Sequence, residues 1–239
     1  MIAESCEVAR RRRPSGRTVG NMRIVIAGGH GQIAQRLERL LAARGDEVAG
    51  IVRQAEQAAD LRAAGAEPVV CDLESVSVEE VAGHLEGADV AVFAAGAGPG
   101  SGEARKYTVD RDAAILFADA AQRAGARRFL VVSSMGANPE HAGDEVFDVY
   151  LRAKGEADAY VRAQKSLEWT ILRPGSLTGD AGKGLVRLEA QAGRGSIPRD
   201  DVAAVLAELI DTPATAGLTL ELISGSTPVS VAVKAVAGN

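Results

Sequence analysis

Tyr150 and Lys154 stand four residues apart in YLRAK, inside a stretch from about 146 to 164 that reads as a helix. That spacing places both on one helix face. A phenol beside an ammonium can give and take a proton, because a nearby positive charge favours the phenolate. The competing reading is an exposed helix face with Tyr150 packed at its rim. Ser133 and Ser134 close an apolar run at about 129 to 133. A hydroxyl at the end of a strand can hydrogen-bond a substrate carbonyl, although two serines there also suit a turn or a helix cap.

Such groups need a scaffold that delivers a reactant to them, and residues 23 to 34, RIVIAGGHGQIA, supply its start. The apolar run Ile24, Val25, Ile26, Ala27 predicts a buried strand. A helix follows from about 32 to 44, with Ile33, Leu37, Leu40 and Leu41 expected on its apolar face. Between them, Gly28 or Gly29 permits a tight turn, and Gly31 has no side chain to keep a pyrophosphate from the backbone. Ala34 lets helix and strand pack closely. Free N–H groups at the helix start, with Gln32 and Ile33 in its first turn and His30 beside them, face the phosphates. This predicts a dinucleotide site.

In NAD-binding units of this kind an acidic residue about 20 positions on holds the ribose 2′-hydroxyl. Here the second strand, about 47 to 52, ends in Arg53. A guanidinium pairs with a 2′-phosphate where a carboxylate would repel it, which predicts NADP (NADPH) as the cofactor, with His30 assisting. The bland alternative is a solvated arginine in an arginine-rich chain. Asp72 and Leu73, after a third strand at 68 to 71, are expected near the adenine by analogy with other such folds.

Strands at about 88 to 94, 129 to 133, 169 to 172 and 218 to 223 alternate with helices at about 77 to 85, 103 to 123, 146 to 164 and 200 to 210. Ser77 and Glu80 form a capping box, Asp200 or Asp201 is expected to cap its helix, and Pro228 to start a last one. Alternation of this kind predicts an α/β fold: one Rossmann-type domain over 22 to 239, a doubly wound parallel sheet covered on both faces. The stretch 94 to 102, AAGAGPGSG, is a loop at the carboxyl end of its strand, where ligands of such sheets bind, which nominates Ala94, Ala95 and Gly96. The last part, about 176 to 239, is expected to shape a substrate pocket. Residues 1 to 21, rich in arginine and without an apolar segment, are expected to be a disordered tail and not a signal peptide.

A net charge of −5 and a pI near 5.4 argue against general electrostatic binding of nucleic acid. Two cysteines give neither a disulfide framework nor a metal spacing, and His30, His84 and His141 form no HxxxH pair, so no metal and a cytoplasmic setting without a membrane are expected.

GGHGQIA, the Ser134, Tyr150 and Lys154 set, ILRPG at 171 to 175 and RDDVA at 199 to 203 together resemble the short-chain dehydrogenase/reductase superfamily. The likeness is to its atypical branch of small NAD(P)-binding, epimerase-like or NmrA-like proteins, and it covers about 22 to 236. The resemblance implies that Lys154 holds the nicotinamide ribose, that Tyr150 is the general acid/base, and that Ser134 positions the substrate. It also implies that Pro174, Gly175, Ser176 and Leu177 line the nicotinamide end and Ser133 touches the cofactor. Active members carry an asparagine where TVDRDAA puts Asp110, an aspartate that can still orient a water or the lysine. The loop between Ser134 and Tyr150 is trimmed. Two functions follow: an oxidoreductase or epimerase-like enzyme on a small carbonyl or alcohol, and a catalytically weak NADP-binding redox sensor that signals to a partner protein.

Overall fold

The computed structural model describes residues 22–98 and 100–238. The expected tail at 1 to 21 lies outside the described residues. Seven parallel strands run in the order β3 (Glu67–Val70), β2 (Glu47–Val52), β1 (Arg23–Ala27), β4 (Val90–Phe93), β5 (Arg128–Val132), β6 (Glu168–Pro174) and β10 (Leu218–Ser224). The chain starts at the middle of the sheet, winds outward to β3, then returns across β1 to β4. That reversal leaves a crevice at the carboxyl ends of β1 and β4, the place where doubly wound sheets bind ligands. The sheet is not wholly parallel. β8 (Leu185–Glu189) pairs antiparallel with β10, and β11 (Thr227–Pro228) pairs antiparallel with β8.

Side-chain alternation on β1 decides what covers each face. Ile24 and Ile26 point to one side, with α1 (Gln32–Ala43), α7 (Arg199–Ile210) and α8 (Val229–Ala237). Val25 and Ala27 point to the other, with α3 (Val78–His84), α5 (Ala113–Ala124) and α6 (Val146–Ala163). A short α2 (Ala58–Ala63) lies between β2 and β3. On α1 the buried apolar face is Ile33, Ala34, Leu37 and Leu41, whereas Leu40, expected on it, is 44% exposed. Seven residues on from Ile33, it has rotated past the edge of the stripe.

The helix expected as one piece from 103 to 123 is in three: an α turn, α4 (Glu103–Arg105), a π-helical segment Lys106–Asp112, and α5. A pattern of apolar positions does not reveal a local insertion in the hydrogen-bond ladder. The glycine-rich stretch after β6 holds β7 (Ser176–Thr178) and β9 (Ser196–Pro198), paired as a small separate sheet. Within the rest of 176 to 239, β10, α7 and α8 build the main layers. Neither Asp200 nor Asp201 caps α7, whose cap position is Pro198. Asp201 instead accepts from the N–H groups of Lys183 and Gly184, and Asp200 from Gly182 and from Arg36 of α1. The pair therefore pins the glycine-rich loop to the sandwich.

Candidate functional site: the dinucleotide crevice

The turn after β1 is fixed from below. The N–H groups of Gly28 and Gly29 both donate to the Ile51 carbonyl of β2, at 3.1 and 2.9 Å, and Gly31 N–H donates back to the Gly28 carbonyl. Gly28 is the residue that needs left-handed backbone, with φ +78°, and a Cβ there would lie 2.6 Å from Ala95 Cα. Gly29 serves packing: its Cβ would meet Gly50 Cα of β2 at 2.9 Å and the carboxyl of Glu38 at 2.8 Å. No side chain caps α1 at Gly31, and the first-turn N–H groups at Gln32, Ile33 and Ala34 have no acceptor within the helix. That is the donor array an anionic pyrophosphate needs, with no Cβ in its way at Gly31. Beneath it, Glu38 is wholly buried with neither carboxyl oxygen hydrogen-bonded, and burial pushes its pKa to about 8.

A cavity of about 290 Å³ opens beside this turn. Its wall includes Gly28, His30, Gly31, Arg53, Asp72, Leu73, Ala94, Ala95 and Gly96, nine residues nominated from sequence. It also includes Gln57, Cys71, Glu74, Ala97 and Arg105, which were not. His30 is already engaged, with Nε2 at 2.8 Å from Asp60 and Nδ1 at 3.2 Å from Gln57. Arg53 is 3.6 Å from Glu74, which also takes hydrogen bonds from Arg105 and Thr108. Hydrogen bonding from Arg105 holds the Glu74 carboxyl below the usual carboxylate range. Pro174, Gly175, Ser176 and Leu177 are not on this wall; they sit where β6 passes into β7, with Leu177 partly exposed.

The reactive candidates gather where α6 passes the carboxyl ends of β4 and β5. Tyr150, Lys154 and Asp158 succeed one another at four-residue steps along α6, on one face. Lys154 is 4% exposed. Its ammonium is 3.4 Å from Asp110 Oδ1 and donates to the carbonyls of Val132 at 3.2 Å and Ala95 at 3.4 Å. Burial pulls its pKa down, and the charges of Asp110, Tyr150 and Asp158 more than offset this, so it lies above the ordinary lysine value. Asp110 is wholly buried, and its Oδ2 accepts from the Ala97 N–H at 3.3 Å, so one carboxylate braces both the lysine and the loop after β4.

Tyr150 is half-buried, with its ring stacked on the exposed Phe147 at 5.7 Å and Lys106 lying 5.5 Å from its centroid. Lys106, missed from sequence, is buried and donates to the Gly98 carbonyl at 2.9 Å. Ser134 lies just past β5, its hydroxyl turned to the Met135 carbonyl. Ser133, expected on the cofactor, turns the other way: its hydroxyl donates to the buried Asp158, which also takes both Nε and Nη2 of Arg173. Successive residues leaving a strand point to opposite faces, so only one of two adjacent serines can face the crevice.

The loop between Ser134 and Tyr150 is strapped to α6. Asn138 N–H donates to the Leu151 carbonyl, Arg152 to the His141 carbonyl at 3.0 Å, and His141 meets Asp148 at 3.0 Å. Gly155 makes the approach possible, since a Cβ there would lie 2.2 Å from the Asn138 carbonyl carbon.

Comparison with known proteins agrees with this geometry. A Bacillus subtilis (strain 168) protein named "Uncharacterized sugar epimerase YhfK" is 38% identical over 214 residues, which is 89% of this chain and 99% of that protein. A Saccharomyces cerevisiae UPF0659 protein is 34% identical over 87% of this chain and 95% of its own length. Among solved structures, one described as "Putative NAD-dependent epimerase/dehydratase" from Bacillus halodurans superposes with a TM-score of 0.82 at 35% identity, over 92% of this chain and all of that one. The oxidoreductase ylbE from Lactococcus lactis superposes with a TM-score of 0.80 at 26% identity, over 91% of this chain and 98% of that one. Residues 28–213 match the family described as NAD(P)H-binding. With the glycine turn, the crevice and these relatives in agreement, the chain belongs to the NAD(P)H-binding family of epimerase-like, atypical short-chain dehydrogenase/reductase proteins.

Proposed function

We propose that this protein is an NADP-dependent oxidoreductase or epimerase-like enzyme that reduces a small carbonyl compound or oxidises the corresponding alcohol. The observation that carries this reading is the buried, charged Lys154 one helical turn from a half-buried Tyr150, at the carboxyl edge of the sheet. A reduced nicotinamide, when bound, supplies the hydride for the carbonyl carbon. Tyr150 gives its phenolic proton to the carbonyl oxygen, so that an alcohol forms, and the Lys154 charge stabilises the negative oxygen left on the tyrosine. Ser134 donates to the same carbonyl. Asp110 keeps Lys154 charged and in place, while Pro174 to Leu177 border the nicotinamide end and Arg53 selects NADP by pairing with its 2′-phosphate.

One observation favours the second reading, an NADP-binding sensor. The Lys154 ammonium already has three oxygen neighbours, Asp110 Oδ1 and the carbonyls of Val132 and Ala95. An ammonium has three N–H donors, so contacts to a ribose require one of these to be released. The experiment that separates the readings is NADPH oxidation measured against a panel of quinones, aldehydes and small ketones, and then a broader metabolite set. Turnover by the wild type that Tyr150→Phe abolishes supports the enzyme. No turnover anywhere, with NADP raising the melting temperature and altering a partner interaction, supports the sensor.

A further inference from the structure

Arg53 does not face an empty subsite. Its Nη1 is 3.6 Å from Glu74 Oε2, and the same oxygen accepts from Arg105 Nη2 at 2.5 Å. Glu74 Oε1 accepts from Thr108 Oγ1 at 2.6 Å and Arg105 Nε at 3.4 Å. Arg53, Glu74 and Arg105 all line the same cavity, and their side chains are 45%, 23% and 39% exposed, which places them at its mouth. Arg53 comes from the end of β2, Glu74 from the loop after β3, and Arg105 and Thr108 from α4 and the π-helical segment. One carboxylate thus ties two guanidiniums from different elements.

The chemistry of that arrangement is specific. Two guanidiniums and the Glu74 carboxylate sum to one positive charge; the carboxylate takes both fork donors of Arg105, Nε and Nη2, and stands at ion-pair distance from Arg53, where an oxyanion would sit. A phosphate monoester brings nearly two negative charges and three acceptor oxygens, so it outcompetes a carboxylate for a pair of guanidiniums. A ribose bearing only hydroxyls has no such claim, and the tie stays closed over it.

We propose that Glu74 is a specificity-determining residue that occupies a 2′-phosphate subsite built jointly by Arg53 and Arg105, and that the cofactor's 2′-phosphate displaces it. The inference rests on the NADP reading above and adds Arg105 as the second phosphate ligand. Glu74 then tempers the affinity for NADP without acting on NAD. The native chain holds the two cofactors closer in affinity than its arginines alone would.

The test is calorimetric titration of adenosine 2′,5′-bisphosphate and 5′-AMP into the full chain and into Glu74→Gln, Arg105→Ala and Arg53→Ala, with melting curves to confirm folding. Glu74→Gln keeps an acceptor for Thr108 and removes the charge. It should tighten the bisphosphate roughly tenfold and leave 5′-AMP within about twofold, as expected when a charged competitor is removed. Arg105→Ala should weaken the bisphosphate roughly tenfold or more and spare 5′-AMP. Glu74→Gln weakening both ligands alike, or leaving the bisphosphate unchanged, overturns the proposal. If Arg53→Ala weakens only the bisphosphate while the other two variants bind as wild type, the Glu74 inference alone fails. If the wild type does not prefer the bisphosphate and Arg53→Ala lowers both ligands equally, the NADP reading fails with it.

Discussion

Substituting alanine for a helical glycine should have opposite signs at two positions of this chain. In a helix interior the exchange is worth about 0.5–1 kcal/mol of stabilisation through backbone entropy. Gly83 is exposed in the last turn of α3, and its Cβ would meet nothing within 4 Å. Gly155 lies in the middle of α6, where a Cβ would be 2.2 Å from the carbonyl carbon of Asn138 and 2.4 Å from the nitrogen of Pro139. Non-bonded carbon atoms settle at about 3.5–4.0 Å, so helix and loop must part by more than ~1 Å. The loop cannot do so freely, being held by the Asn138–Leu151, Arg152–His141 and His141–Asp148 bonds. Overpacking at about 1–3 kcal/mol, and one lost hydrogen bond at about 1 kcal/mol, exceed the entropic gain. The net is about 2 kcal/mol of destabilisation for Gly155→Ala, or ~4–8 °C in melting temperature for a domain of this size. Gly83→Ala should gain ~1–4 °C. Thermal melts followed by circular dichroism decide it. A Gly155→Ala protein that melts at or above the wild type would refute the claim that this glycine exists to let the loop dock.

Tyr150→Phe should keep NADP affinity within a few fold and lose ~10²-fold or more in turnover, measured on whichever carbonyl the panel identifies. The buried Glu38 predicts a pH dependence of stability. Its carboxyl titrates at about 8 when folded against about 4.3 when unfolded, so its favourable contribution is complete below the unfolded value and is lost as pH rises through about 8. The slope is up to ~1.4 kcal/mol per pH unit in that window. Denaturant titrations between pH 5 and 8.5 should show it, and Glu38→Gln should flatten it; an unchanged slope in that variant sinks the assignment. Asp158→Ala should cost about 3 kcal/mol or more in urea unfolding, because it strands the Arg173 guanidinium and the Ser133 hydroxyl. A loss under ~1 kcal/mol would mean that water replaces the carboxylate at no penalty.

What the sequence made legible was what local pattern controls. The strand, turn and helix at 23 to 43 follow from two hydrophobic periods meeting at glycines, and the spacing of Tyr150 from Lys154 fixes their shared face whatever surrounds them. Partnerships between distant residues were not legible. Nothing in the spacing of Glu74 and Arg105, or of Ser133 and Asp158, says that they meet, and Lys106 reads as one more surface charge. Asp200 and Asp201 show the same limit: their types suit a helix cap, and tertiary contact with the loop at 182 to 184 redirected them. The choice between Gly28 and Gly29 as the turn residue needed the backbone itself, since either would permit it.

The π-helical segment Lys106–Asp112 separates two demands that a continuous α-helix could not meet together. An α-helix advances 100° per residue, so one inserted residue rotates everything before it by that angle relative to everything after. Downstream, Ala113, Ala114, Phe117, Ala118 and Ala121 must keep their phase against the sheet. Upstream, Arg105 lines the cofactor crevice, Lys106 holds the Gly98 carbonyl and Thr108 the Glu74 carboxylate, and Asp110 within the segment reaches Lys154. A single-residue deletion here would let the ladder close into regular α-helix, with the core phase kept by its many apolar contacts. The polar side chains would then sweep away from the crevice together. Chain length at this one point therefore acts as the phasing element of the candidate site: its loss should leave the core packing in place and shift Arg105, Lys106, Thr108 and Asp110 together.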